Sequence, residues 1–100
     1  MAARSIRQGI SEFRNTPGAL LLDVRTPQEY GQGHIPGSKN LPLQQLDKAE
    51  SMTENKDTAL FVYCYSGARS GQATAYLRRM GYTNVQNIGG ISTYFGNLDR

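Results

Sequence analysis

One cysteine and one histidine are all that the sequence offers of the two most reactive side-chain types. A single cysteine excludes an internal disulfide, a Cys-x-x-Cys redox pair and a cysteine-based zinc cage, so whatever Cys64 does, it does without a second thiol. Long apolar runs are also missing. The longest, Ala19 to Leu22 and Ala59 to Tyr63, fall far short of the ~18 to 20 residues that a membrane-spanning helix needs. Basic residues do not cluster, although the net charge is +3. Only Arg78 and Arg79 are adjacent, and neighbours on a helix point about 100° apart, so no nucleic-acid surface is expected. Met1 to Ile10, with Arg4 and Arg7, lacks the apolar core and small-residue cleavage site of a secretory signal, and a cytoplasmic protein is expected. No internal repeat or low-complexity tract interrupts the chain.

What is present suffices for one compact domain over residues 1–100. With 38% hydrophobic residues, a chain of this size buries roughly 60 to 65% of its unfolded surface. Helical and strand patterns alternate at short spacing, which makes the fold class α/β. Ile6, Ile10 and Phe13 recur at helical spacing behind a Ser5 cap, and Asn15 to Gly18 breaks the helix. Ala19 to Leu22 reads as a parallel strand covered on both faces. Thr26, Pro27 and Glu29 supply the cap, first-turn proline and third-position glutamate of a helix ended by Gly31 and Gly33. A brief strand is expected over Ser38 to Leu41, then a weak helix over Gln44 to Ser51. Ala59 to Tyr63 is the clearest strand, and it runs straight into Cys64. Ala73, Tyr76, Leu77 and Met80 give a helix from about Ser70 to Met80 closed by Gly81. A last strand over Val85 to Ile88 and a short helix near Ser92 to Phe95, opened by Gly89-Gly90, complete a mainly parallel sheet of four to five strands with helices on both faces.

A lone cysteine is often a small buried hydrophobe, but the position of this one points elsewhere. Ligands of open parallel sheets bind beyond the carboxyl ends of the strands, where Cys64 sits. Tyr65, Ser66, Gly67, Ala68, Arg69 and Ser70 link that strand to the next helix. Their amides, the helix dipole and the Arg69 charge would all favour an anion, and Gly67 permits a tight curl. A thiol of ordinary pKa, ~8.5, needs a depression of ~2 units, about 2.7 kcal/mol, to become mainly thiolate at neutral pH. The same cradle suits a small oxyanion whose outer sulfur lies against the nucleophile. With no resolving cysteine, sulfur loaded on Cys64 must leave to an outside acceptor.

Three motifs then resemble the rhodanese family along nearly the whole chain. They are Leu22-Asp23-Val24-Arg25 with Glu29-Tyr30, Gly33 to Ser38, Asn40 and Pro42; Val62-Tyr63-Cys64 with the loop to Ser70; and Met80-Gly81-Tyr82 through Val85 to Gly89-Gly90. The resemblance implies an α/β domain with a parallel sheet, a catalytic cysteine at Cys64 and a substrate loop over Tyr65 to Arg69. It implies sulfur transfer from a small anionic donor such as thiosulfate, through a persulfide, to a thiol, cyanide or a sulfur-relay protein, with no cofactor or metal. Tyr94 stands where family members commonly carry tryptophan.

Two other readings stay open. Phosphatases and arsenate reductases share a cysteine, an anion loop and an arginine, but their loop is one residue longer, and Ser70 cannot supply a guanidinium. A non-catalytic docking module is the second, against which the retained Cys64 argues. His34, in a Gly-His-Ile-Pro turn, is expected to bond backbone rather than serve as a base. Asp23 and Arg25 could touch substrate or pair with Glu29. Tyr63 and Tyr76 are expected to pack at the rim of the core.

Overall fold

The structure, a computed structural model, describes residues 5–100, so Met1 to Arg4 of the amino-terminal reading lie outside the described residues. Helix α1 spans Ile6–Arg14, its first turn capped by the Ser5 side chain, which accepts from the Gln8 amide. Strand β1 spans Leu20–Asp23, and α2, Pro27–Gln32, starts from a complete Thr26/Glu29 capping box with Pro27 in its first turn. Strand β2 covers Ser38–Asn40. A 3-10 segment, Leu43–Lys48, leads into the one-turn helix α3, Ala49–Met52. Strand β3 is Leu60–Cys64, helix α4 is Ala68–Arg79 and strand β4 is Val85–Gly90. A 3-10 turn, Ile91–Thr93, follows.

Among the described residues the sheet has four strands, the lower of the numbers expected, all paired in parallel in the order β2-β1-β3-β4, and an isolated antiparallel bridge joins His34 to Asp99 outside it. Strand alternation divides the core into two layers. Leu22, Leu60, Val62 and Cys64 face the side covered by α4 and the Leu43–Met52 segment, where they meet Leu46, Ala73, Leu77 and Tyr82. Leu21, Phe61, Tyr63 and Ile88 face the α1 side with Ile6 and Ile10. This parity aims Cys64 at α4 and sends Tyr63 the other way. The Tyr63 hydroxyl accepts from the Ile35 amide and donates to Ser38 Oγ, so the ring is wholly buried rather than at the rim. Tyr76 is partly exposed, 40%, and lies against Arg79. Tyr94 packs against the α1-side cluster and donates its hydroxyl to the Asn97 carbonyl.

Most boundaries lie within a residue of expectation, and three elements differ by two. Helix α4 begins at Ala68, two residues early, because Gly67 takes the left-handed conformation, φ +102°, that turns the chain into the helix. Strand β4 runs on through Gly89 and Gly90, since a Cβ on Gly90 would overlap the Tyr65 carbonyl and lie 2.6 Å from Ser66 Cα. The glycine therefore serves a close backbone approach rather than a helix start. The final helix shrinks to the Ile91–Thr93 turn, and Phe95 stays 95% exposed. Among the described residues no helix is long and apolar enough to cross a membrane.

Candidate active site

Cys64 ends β3 with its side chain fully buried under the turn that enters α4. No side chain caps α4, so its first amides are left to the sulfur. Cys64 Sγ accepts from the Gly67 amide at 3.0 Å and lies 3.4 Å from Ser70 Oγ. Burial pushes the thiol pKa up, but the Ser70 hydroxyl and the amides of Ser70, Gly67 and Ser66 outweigh it, and the net shift is downward. The turn is pinned on the far side, where the Tyr65 carbonyl accepts from the Ser92 amide.

The six loop residues divide by role. Gly67 and Ser70 touch the sulfur, and the Ser66 amide faces it. Tyr65, 55% exposed, forms part of the outer surface. Ala68 is the exposed first residue of α4.

Arg69 is placed differently from expectation. Its guanidinium forks onto Glu29 of α2, with Nη1 to Oε1 at 2.8 Å and Nη2 to Oε2 at 3.0 Å. It is thus held at the mouth of the loop and makes no hydrogen bond to the sulfur. The bidentate partner and the Thr26 amide hold the Glu29 carboxyl far below its ordinary 4.5, at about 2, against a smaller upward push from burial. Because this folded-state pKa is depressed, the pair's stabilisation is complete above pH 4.5 and is lost as pH falls toward about 2. Both side chains remain about a third exposed, so the pair is worth less than about 1 kcal/mol. The difference in urea midpoint between wild type and Glu29→Gln should therefore be small at pH 6 and vanish near pH 2; a difference that grows on acidification contradicts the pairing.

Asp23 and Arg25 do not use Glu29. Arg25 Nε lies 3.0 Å from each Asp23 carboxylate oxygen, and Nη2 donates to Asp23 Oδ2 and to the Gly33 carbonyl, both at 2.7 Å. Burial opposes the Arg25 charge, and Asp23 more than compensates, leaving its pKa raised. The pair joins the end of β1 to the end of α2 and so fixes the helix that carries Glu29. His34 stacks on Tyr30 with ring centres 3.7 Å apart, and its Nδ1–H donates to the Tyr30 carbonyl at 2.9 Å, the backbone role expected of it.

The sequence reads Glu29 as a helix cap and as a partner for Asp23 or Arg25; its pairing with Arg69, and the place of Asn87, are what it leaves unread. Asn87, a half-buried polar side chain of β4, bonds both Gly67 and Ser70. A polar residue near the carboxyl end of a parallel strand was the signal available.

Comparison with known proteins identifies the family. Residues 7–96 match the family of Rhodanese-like domains. The chain is 41% identical over 71 residues to thiosulfate sulfurtransferase PspE of Escherichia coli strain K12, covering 70% of this chain and 68% of that protein. It is 46% identical over 78 residues to a sulfurtransferase of Allochromatium vinosum, covering 77% and 72%. Among solved structures it superposes on a rhodanese with anions from E. coli with a TM-score of 0.76 and 35% identity, covering 82% of this chain and 98% of that one. The chain belongs to the rhodanese-like domain family.

Proposed function

We propose that this protein is a sulfurtransferase that moves a sulfane sulfur from a small anionic donor such as thiosulfate to a thiophilic acceptor, by way of a persulfide on Cys64. The observation that carries the reading is the sulfur itself. The only cysteine stands at a strand end facing the uncapped amino terminus of α4, with the Gly67 amide 3.0 Å away and its thiol pKa lowered.

In the first half-reaction the Cys64 thiolate attacks the outer sulfur of thiosulfate. The donor's sulfur–sulfur bond breaks, sulfite leaves with the electron pair, and Cys64 carries a persulfide anion. In the second, cyanide or a thiolate attacks the outer sulfur, and the Cys64 thiolate departs. No proton need move, so no general base is required. The amides of Ser66 and Gly67 and the Ser70 hydroxyl act as donors to whichever sulfur bears charge. Arg69, fixed by Glu29, keeps guanidinium N–H groups for the oxygens of the donor. Since the sulfur is covered, the exposed turn Tyr65-Ser66 must swing aside to admit it.

The domain extends over residues 1–100 in this reading, the cellular setting is the cytoplasm, and the physiological acceptor is a thiol or a sulfur-relay protein. The phosphatase alternative is disfavoured because Arg69 sits in α4 and is turned onto Glu29, not curled over the sulfur. The test is a mixture of thiosulfate and cyanide: sulfite and thiocyanate should appear in equal amounts, while an aryl phosphate should remain intact. Absence of thiocyanate, or faster release of phosphate, overturns the assignment.

A further inference from the structure

The Ser70 hydroxyl has a single hydrogen and more than one acceptor within reach. Asn87 Oδ1 lies 2.7 Å from Ser70 Oγ, the Gly67 carbonyl 3.1 Å and Cys64 Sγ 3.4 Å. The orientation of the Asn87 amide is not free. Oδ1 accepts from the Gly89 amide at 3.0 Å, and Nδ2 donates to the Gly67 carbonyl at 3.2 Å; turning the group over would set N–H against N–H and oxygen against oxygen. In the 2.7 Å contact Ser70 is therefore the donor. While Cys64 is a neutral thiol, the hydroxyl hydrogen rests on Asn87 and an oxygen lone pair faces the sulfur. A thiolate is the stronger acceptor, and when it forms the hydrogen can turn to it, because Asn87 Oδ1 keeps the Gly89 amide and is not left unpaired.

We propose that Asn87 is a positioning residue that acts on Cys64 through Ser70, its side-chain oxygen competing with the sulfur for the one hydroxyl hydrogen. The proposal rests on the reading of Cys64 as the sulfur-carrying nucleophile and adds a residue to it. Asn87 sets how readily the hydroxyl serves the charged sulfur, and through the Gly67 carbonyl it also holds in place the residue whose amide faces the sulfur. The charged groups around the strand ends are Asp23 and Arg25 at the end of β1, Glu29 on α2 and Arg69 on α4. They are paired with one another, and β4 carries no charge.

The test is the pH midpoint of Cys64 alkylation, with Ser70→Ala introduced into three backgrounds: wild type, Asn87→Ala and Asn87→Asp. Ser70→Ala should raise the midpoint most in Asn87→Ala, where the nearest competitor for the hydrogen is gone and only the Gly67 and Gly89 carbonyls, common to all three backgrounds, remain. It should raise it least in Asn87→Asp, where a carboxylate holds the hydrogen more firmly. Adjacent steps should differ by about threefold in the ionisation constant, roughly 0.5 pH unit. Equal shifts in all three backgrounds overturn the proposal. So does the reverse order, which is what loosening of the turn alone would give, since a disordered hydroxyl has less to lose. Should one Asn87 variant fail to fold, the other still ranks against wild type. The midpoints are read without thiosulfate, so their failure is distinct from a failure of sulfur transfer.

Discussion

Asp23→Ala is expected to lower the free energy of unfolding by about 3–5 kcal/mol, the cost of stranding a buried charge. Asp23 is wholly buried and Arg25 is only 5% exposed. Truncating the carboxylate removes every side-chain hydrogen-bond acceptor of the guanidinium, leaving the Gly33 carbonyl and the Tyr63 ring 5.9 Å away, and also removes the acceptor of the Arg25 amide. The same pair replaced as a unit should cost far less, because two apolar side chains leave no unpaired charge behind. Urea unfolding of Asp23→Ala, of Arg25→Met and of Asp23→Leu/Arg25→Met checks this. The double variant should be more stable than the sum of the single losses predicts, whereas additive losses would mean that the two side chains do not act as a pair.

A second large effect is expected at the sulfur. Cys64→Ser keeps the shape of the side chain but replaces a thiol whose pKa is lowered with a hydroxyl whose ionisation lies far above the working range. Thiosulfate turnover should fall by at least about 10³-fold, about 4 kcal/mol of transition-state stabilisation. The fold should persist, because Ser70 Oγ and the Gly67 amide, which now face sulfur, can bond a hydroxyl equally well. A variant retaining turnover would place the chemistry elsewhere in the chain.

The features that could be read from sequence are those with local causes. The Thr26-Pro27-Glu29 capping box acts within three residues, and the apolar run into Cys64 declares a buried strand without reference to its neighbours. Parity along β3 then dictates which face the cysteine takes. What sequence could not supply were pairings between distant segments. Glu29 and Arg69 are 40 residues apart, and Asn87 and Gly67 are 20. Glu29 has a sufficient local explanation as a cap, Asn87 as a strand residue and Arg69 as the charge of the anion loop, and only the packed sheet brings them to one rim.

The displaced boundaries follow the same division. Gly89-Gly90 reads as a strand end because glycine fits strands poorly. In the fold the missing Cβ at Gly90 is what admits the Tyr65 carbonyl, and with it the turn that covers the sulfur. Likewise Ala68 and Arg69 look like loop until Gly67 is seen to turn left-handed and start the helix ahead of them. Arg69 consequently points from the first turn of α4 toward α2, where Glu29 meets it.

The central claim, a sulfur carried on Cys64, is tested most directly by the intact mass of the protein after incubation with thiosulfate. Wild type should gain the mass of one sulfur atom, fragmentation should place it on Cys64, and cyanide should remove it. Cys64→Ser should gain nothing. A wild type that never gains the atom, or a Cys64→Ser variant that does, contradicts the account.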